Sequence, residues 1–272
     1  MSLKPAQAKV IEQSVNLRDA LRLAVDKLPS EVRLRAQNAY NGFDRAKLLF
    51  SIDREMASFR AITAEEEAAA ALFRSLQLKG YPGSELLNLG NHQHKAALGP
   101  FLAAVSQSMA ATPPLQIQLT IDFSLPSVDV HLPLHKNGIV FPGSETLRLS
   151  LVEPLGLAAH KVDGSPSTDF FDKYLDRIAK ASNSANAQRL IKREANARNT
   201  LLYASDNNLP KSKVTLDSID ARQRRAEIAL GLCIAVMQTN NHQPLAVQAL
   251  AAFLRLVKKL SHRQPGLNGS TE

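Results

Sequence analysis

The stretch AITAEEEAAAALFRSLQLKGYPG, residues 61–83, contains the strongest helix signal in this chain. Alanine and leucine lose little side-chain freedom in a helix, and here they surround three consecutive glutamates at positions 65–67. Apolar residues recur at helical spacing upstream of these glutamates, and Gly80 ends the pattern as a helix-terminating glycine. We therefore predict one long helix over residues 44–79, a turn, and a second helix that opens after a capping Asn91.

Helical periodicity also covers most of the remaining chain. The residue pair Asn41–Gly42 predicts a break before the long helix. A helical segment is predicted from Phe170 to about Ala204, although its polar middle does not favour a continuous helix. Further helices are predicted over residues 1–28, 31–38, 217–238 and 244–260.

The apolar pattern changes from helical spacing to strict alternation at Pro113. Leu115, Ile117, Leu119, Ile121 and Phe123 alternate with polar residues, which is typical of a half-buried strand. Similar alternation continues to about residue 152, so we predict an antiparallel meander of three or four strands, including a return over residues 139–141. Pro126 and Pro133 indicate that the second strand lies at an edge of this sheet.

These patterns predict a mainly α fold, a multi-helix bundle with a small antiparallel β meander inserted at about residues 115–152. The corresponding regions are an N-terminal helical region over 1–111, the meander over 112–160, a basic helical region over 161–262 and a disordered tail over 263–272.

Composition excludes several classes of protein. The chain has 272 residues, of which 44% are apolar and 21% charged, as in ordinary globular domains. No apolar run approaches the length of a membrane span, so no membrane partner is expected. The single Cys233 permits no internal disulfide and, with an N-terminus that lacks an apolar leader, predicts a cytoplasmic protein. No cofactor is predicted, and the sequence does not define an oligomeric state.

The positive charge is concentrated in one part of the chain. Residues 1–170 carry 17 Lys or Arg and 17 Asp or Glu, whereas residues 171–272 carry 16 and 8. The whole surplus of +8 therefore lies in the C-terminal third. This asymmetry favours a polyanionic partner such as RNA. A solvated basic surface is the more common explanation of such charge.

Several basic residues of this third recur at helical spacing, and we predict that they bind nucleic acid. Three arginines crowd the start of one helix, where positive charge opposes the helix dipole unless an anion or a carboxylate neutralises it. The predicted nucleic-acid-binding residues are Arg189, Arg193, Arg222, Arg224, Arg225, Arg255, Lys258 and Lys259.

A second candidate site combines one of the glutamates with the start of the following helix. Glu66 lies four residues after Ile62 and is the glutamate predicted to face inward; otherwise the three form a solvated acidic surface. His92, His94 and Lys95 supply groups for acid–base chemistry, with Glu66 and His94 predicted to face each other. The two histidines would point about 200° apart on a helix, so no metal site is predicted.

The alanine-rich Glu-Glu-Glu helix, the short turn and the His-x-His-Lys cluster resemble the abortive-infection V family, which is grouped with the HEPN helical superfamily. The resemblance covers about residues 44–105. It places the family's acid pair on Glu65 and Glu66, and its basic cluster on His92, His94 and Lys95. It implies a cytosolic HEPN-like protein that engages RNA or another polyanion; a metal-independent ribonuclease in phage defence is one protein of this kind. The alternative is a non-enzymatic helical subunit that binds a protein partner within a protein or nucleoprotein complex.

Overall fold

The computed structural model describes residues 18–110, 116–121, 125–133, 148–165, 167, 169–203 and 213–261. These residues form eight α-helices, a short 3₁₀-helix and three strands, which confirms the predicted mainly α fold with a small antiparallel sheet. The helices are α1 (18–25), α2 (Ser30–Leu49), α3 (Arg54–Leu78), α4 (His92–Ala110), α5 (Asp172–Ala181), α6 (Ala187–Leu202), α7 (Leu216–Met237) and α8 (Pro244–Ser261). The 3₁₀-helix is Ser84–Leu86, and the strands are β1 (Gln116–Thr120), β2 (Ser127–Pro133) and β3 (Arg148–Leu151).

The predicted single helix over residues 44–79 is wrong, because two helices share this stretch. α2 continues through Gly42, and α3 begins after Asp53, whose carboxylate caps it by accepting a 2.8 Å hydrogen bond from the Met56 amide. Gly42 lies inside α2 and does not end it, because a glycine here allows another helix to pack closely. A Cβ atom at this position would lie 2.8 Å from the Cβ of Ala64 on α3.

Helix α3 is the centre of the bundle and packs against α2, α4, α6 and α7. Its buried positions are mostly alanine, including Ala57, Ala61, Ala64 and the run 68–71. Small side chains let neighbouring helices approach closely, so glutamates on α3 come within hydrogen-bonding distance of α4 and α7. The glutamates at 65–67 lie in the middle of this packed helix.

The strands form one antiparallel sheet in the order β1-β2-β3. β2 is therefore the central strand, and its predicted position at an edge is wrong. The two prolines do not interrupt pairing because Pro126 precedes the strand and Pro133 is its last residue. The return predicted over residues 139–141 lies outside the described residues.

Glutamine side chains connect the sheet region to the last two helices. The Gln238 amide donates to the Val128 carbonyl at 3.2 Å and accepts from the Val128 amide at 2.7 Å. Farther along the chain, Gln243 accepts a hydrogen bond from the Leu155 amide, and Gln248 accepts one from the Ala159 amide. Side-chain amides thus satisfy backbone groups of the sheet region.

The C-terminal helices largely follow their predicted ranges. The predicted segment 170–204 is divided by the polar residues 182–186, and Asn186 caps α6 by accepting from the Arg189 amide at 2.9 Å. Cys233 is fully buried in α7, and burial raises the pKa of its thiol to about 12. The predicted tail 263–272 and most of the predicted helix 1–28 lie outside the described residues. Across the described helices, none is both long and apolar enough to span a bilayer.

Candidate functional site: a charged cleft between five helices

A cleft of about 260 Å³ opens where α3, α4, α5, α6 and α7 meet. Its charged lining residues are Glu65, Glu66, Lys95, Glu194, Arg222 and Arg225. Apolar side chains such as Ile62, Ile178 and Leu190 complete the lining. Two separate ion networks therefore border one cleft, each containing one of two adjacent glutamates.

The first network is built around Glu66, which is only 6% exposed. Its Oε2 lies 2.8 Å from Nδ1 of His92 and 3.4 Å from Nζ of Lys95. Both partners reach the same carboxylate because His92 is the first residue of α4 and Lys95 follows one turn later on the same face. Glu66 is thus the buried glutamate, as predicted, and it contacts two of the predicted site residues.

His94 does not share this contact. The Asn88 amide donates a 3.3 Å hydrogen bond to its Nδ1, so the ring faces the loop before α4. The predicted pairing of Glu66 with His94 is replaced by pairing with His92, because residues two apart on a helix point about 200° apart. Asn91 caps α4 as predicted, accepting from the Gln93 amide at 2.8 Å and the His94 amide at 3.3 Å. Burial lowers the pKa of His94, which favours the neutral ring needed to accept from Asn88.

Arg198 of α6 joins the first network and was missed by sequence reasoning. Its guanidinium NH1 lies 4.0 Å from Oε2 of Glu66 and 3.4 Å from Nδ1 of His92. A carboxylate can only accept, so Nδ1 of His92 must donate to Glu66 and cannot also accept from Arg198. The guanidinium therefore acts as a nearby charge. No spacing in the sequence connects Arg198 with a glutamate 132 positions earlier.

The first network has more positive than negative charge. Glu66 contributes one negative charge against the two positive charges of Lys95 and Arg198, so the excess is +1 even when His92 is neutral. Lys95 and Glu66 have side-chain exposures of 8% and 7%. Uncompensated charge in so buried a setting is unfavourable, which makes the cluster receptive to an anion.

The second network centres on Glu65 and is balanced apart from the exposed Arg193, which lies 3.9 Å from Glu194. Arg225 binds this carboxylate with two nitrogens at 2.6 and 3.1 Å, and Arg222 lies 2.6 Å from it. Arg222 also lies 2.9 Å from Glu194 on α6. Burial alone would raise the pKa of Glu65, but the two guanidinium groups outweigh it and hold that pKa below its usual value. Two arginines and two glutamates thus join α3, α6 and α7.

Gly99 of α4 makes room for this second network. A Cβ atom there would lie 2.8 Å from Oε1 of Glu65 and 3.2 Å from Nε of Arg225. The absence of a side chain lets α4 pass close to the ion pairs. Any larger residue at position 99 would clash with the Glu65 carboxylate.

Two of the three arginines that crowd the start of α7, Arg222 and Arg225, are therefore neutralised by a carboxylate, which is one of the two possibilities that the sequence left open. The carboxylate comes from Glu65, not from their own helix, where Asp220 pairs with Lys47 and Glu227 with Arg18. Of the remaining predicted nucleic-acid-binding residues, Arg255 is half-buried and the others are exposed. The exposed set is Arg189, Arg193, Arg224, Lys258 and Lys259.

Within the ranges that the structure describes, no cluster of three or more His, Cys, Asp or Glu side chains could hold a metal ion. Comparisons with protein-family models, curated proteins and solved structures find no match to this chain.

Proposed function

We propose that this chain is an HEPN-like cytosolic protein that engages RNA and cleaves it without a metal ion. The observation that supports this proposal is the contact of His92 with Glu66, which lines the cleft together with Lys95, and the presence of Arg198 beside this pair. Such a cluster contains a base, a group that orients the base and two cations, which are the parts that phosphodiester cleavage needs.

The proposed reaction uses the ribose 2′-hydroxyl as nucleophile. Because Nδ1 of His92 donates to Glu66, the other ring nitrogen, Nε2, carries the free lone pair and can accept the 2′-hydroxyl proton. The 2′-oxygen attacks phosphorus, the bond from phosphorus to the 5′-oxygen breaks, and the imidazolium returns its proton to that leaving oxygen. The products are a 2′,3′-cyclic phosphate and a 5′-hydroxyl end.

The neighbouring charges have separate parts in this scheme. Glu66 holds the imidazole in one tautomer and stabilises the imidazolium after proton transfer. Lys95 and Arg198 offset the negative charge that develops on the non-bridging phosphate oxygens. His92 is 42% exposed at its side chain, which leaves it accessible to a polymer.

The test is RNA cleavage by the wild type and by His92→Ala, with EDTA present throughout. We expect the wild type to produce 2′,3′-cyclic phosphate ends, and the substitution to reduce the rate about 10²-fold or more, the usual contribution of a general base. The matched control is His94→Ala, which removes an imidazole from the same helix turn but not from Glu66. Equal rates for wild type and His92→Ala would refute the proposal.

The resemblance to the abortive-infection V family suggests phage defence as the biological setting of this activity. A matching test compares phage plaque numbers on cells that express the wild type with those on cells that express His92→Ala. If cells that express His92→Ala are still protected from phage, defence does not depend on the proposed chemistry.

A non-enzymatic interaction subunit is the second candidate, and an apolar cleft favours it. This cleft of about 90 Å³ is lined entirely by apolar side chains of α3, α4, α7 and α8 and neighbouring loops, among them Leu76, Leu102, Leu155 and Leu245. Apolar clefts between helices are common docking sites for partner helices. If the wild type shows no RNA cleavage, the interaction-subunit hypothesis replaces the enzymatic one.

A further inference from the structure

The charged cleft contains a hydrogen-bond acceptor on Glu194 of α6. Oε2 of this carboxylate accepts from NH2 of Arg222 at 2.9 Å. Oε1 accepts no hydrogen bond from the described residues, and the exposed Arg193 lies 3.9 Å from it, beyond hydrogen-bonding distance. The Glu194 side chain lines the cleft and is 27% exposed. An ionised carboxylate can only accept, so this part of the cleft is complementary to N–H donors.

Arg225 supplies a donor to the same cleft. Its Nε and NH2 donate to Glu65 at 2.6 and 3.1 Å, which leaves NH1 without a hydrogen bond to any residue that the structure describes. Arg222 donates to both Glu65 and Glu194, so the ion network fixes the spacing of the donor and the acceptor. A ligand held by both groups must combine N–H donors with an acceptor.

One helical turn separates this donor and acceptor from the cations of the first network. On α6, Glu194 precedes Arg198 by four residues, so the two side chains lie on the same face of the helix. On α4, Lys95 precedes Gly99, the residue that makes room for the second network, by the same spacing. Both helices therefore divide the cleft into a cationic end and a donor–acceptor end, offset by about 5.4 Å along each helix. The sugar of a nucleotide spans a comparable distance between its phosphate and its base.

The walls of the cleft are apolar. Leu190 lies one turn before Glu194 on α6, and Ile62 and Ile178 face the cleft from α3 and α5. Such side chains pack well against the flat face of a heterocyclic base. The volume of about 260 Å³ is close to the lower limit of ~300 Å³ for small-ligand sites, so the cleft has room for one base and excludes a stacked pair.

Guanine is the RNA base that matches the polar groups of this cleft. Its N1–H and N2–H point the same way, so one carboxylate can accept both, and its O6 lies beside them as an acceptor. Adenine and cytosine present a ring nitrogen that accepts next to their amino group, and uracil flanks its single N–H with two carbonyls. Each of these bases would place an acceptor against the Glu194 carboxylate, which is unfavourable.

We propose that the charged cleft binds guanine, with the base at Glu194 and Arg225 and its 3′-phosphate near Lys95. The Glu194 carboxylate accepts from N1–H and N2–H, and NH1 of Arg225 donates to O6. This inference rests on the proposed function for the position of the phosphate. It adds a substrate preference to that function, namely cleavage on the 3′ side of guanosine.

The test measures binding of 2′-O-methyl RNA, which lacks the free 2′-hydroxyl and so cannot be cleaved by the proposed route. Fluorescence anisotropy compares labelled pentamers UUXUU in which X is guanosine, inosine, adenosine, cytidine or uridine. Inosine differs from guanosine only by lacking the 2-amino group. We expect the inosine pentamer to bind the wild type about 10-fold more weakly than the guanosine pentamer, and the other three at least as weakly as inosine. Equal affinity for the guanosine and inosine pentamers would overturn the inference, as would no binding of any pentamer.

The variant Glu194→Gln locates the recognition in the protein. It replaces one acceptor oxygen by an amino group, so we expect the preference for guanosine over cytidine to fall about 10-fold. The matched control is Glu67→Gln, which makes the same chemical change on α3 outside the cleft lining and should leave the preference unchanged. A preference that is the same in both variants would overturn the inference. If Glu194→Gln does not fold, the comparison of guanosine with inosine on the wild type still decides.

The outcomes separate this inference from the proposed function. A wild type that prefers the guanosine pentamer but leaves RNA intact refutes the enzymatic proposal alone. A wild type that cleaves RNA equally after all four bases and binds the five pentamers alike refutes this inference alone.

Discussion

Glu65 and Glu66 are consecutive residues of α3 whose carboxylates form ion pairs with different helices. Glu65 pairs with Arg222 and Arg225 of α7, whereas Glu66 contacts His92 and Lys95 of α4. The rotation of about 100° between neighbouring helical residues separates the two networks. The Glu65 network is balanced apart from the exposed Arg193, whereas the Glu66 network has its excess positive charge in a buried setting. We therefore expect substitutions in the two networks to affect different properties.

Substituting Glu65 should mainly reduce stability. Glu65→Gln leaves Arg222 and Arg225 without their main carboxylate, in positions where their side chains are 21% and 34% exposed. We expect a loss of about 2 kcal/mol in the free energy of unfolding, below the ~3–5 kcal/mol of a fully buried broken pair. Urea unfolding of the wild type and of Glu65→Gln measures this difference in the free energy of unfolding. Glu67→Gln, for a neighbouring glutamate that lines no part of the cleft, should change stability by less than about 0.5 kcal/mol.

The contribution of Glu65 should depend on pH in a defined direction. Its pKa in the folded protein lies below the ordinary value of 4.5, so its stabilising effect is complete above that value and is lost as pH falls through the folded pKa. The stability difference between wild type and Glu65→Gln should therefore be constant near neutral pH and shrink below about pH 4.5. Urea unfolding at a series of pH values tests this, and a difference that grows on acidification would contradict it.

Two helical glycines should respond oppositely to alanine. At Gly42 a new Cβ would lie 2.8 Å from the Cβ of Ala64, whereas at Gly231 it would have no described atom within 4 Å other than those of its chain neighbours and its own helix backbone. Overpacking costs about 1–3 kcal/mol, which exceeds the gain of about 1 kcal/mol in helix propensity. Gly42→Ala should therefore destabilise the protein by about 1 kcal/mol, and Gly231→Ala should stabilise it by about 0.5–1 kcal/mol. Thermal unfolding midpoints that move in the same direction would count against the close α2–α3 contact.

If the proposed reaction occurs, Arg198 should contribute to its rate more than to RNA binding. Arg198→Ala removes a cation beside His92, and loss of one group that stabilises the transition state typically reduces kcat about 10²- to 10³-fold. Arg198→Lys should restore part of the rate because it keeps the charge. Binding of 2′-O-methyl RNA should change little. A rise in KM with unchanged kcat would assign Arg198 to binding instead.

The sequence predicted those features that depend on local periodicity. Alternation between apolar and polar residues located the sheet, and the position of Glu66 relative to Ile62 identified the buried glutamate. Periodicity could not show that Gly42 lies inside a helix. A glycine is needed there because Ala64 of another helix approaches closely, and that contact leaves no trace in the local pattern. Arg198 was missed for a related reason, since only the packing of α6 against α3 and α4 brings it to Glu66.

The hydrogen bonds between Gln238 and Val128 also bear on how this protein avoids aggregation. Continuing the register that pairs Val130 with Leu151 would place residue 153 opposite Val128, and the Gln238 amide occupies that position instead. A central strand that extends past a shorter neighbour exposes a donor and an acceptor that can recruit a strand from another molecule. By occupying both groups of Val128, the side chain of Gln238, which directly follows α7, protects this part of the sheet from intermolecular strand pairing.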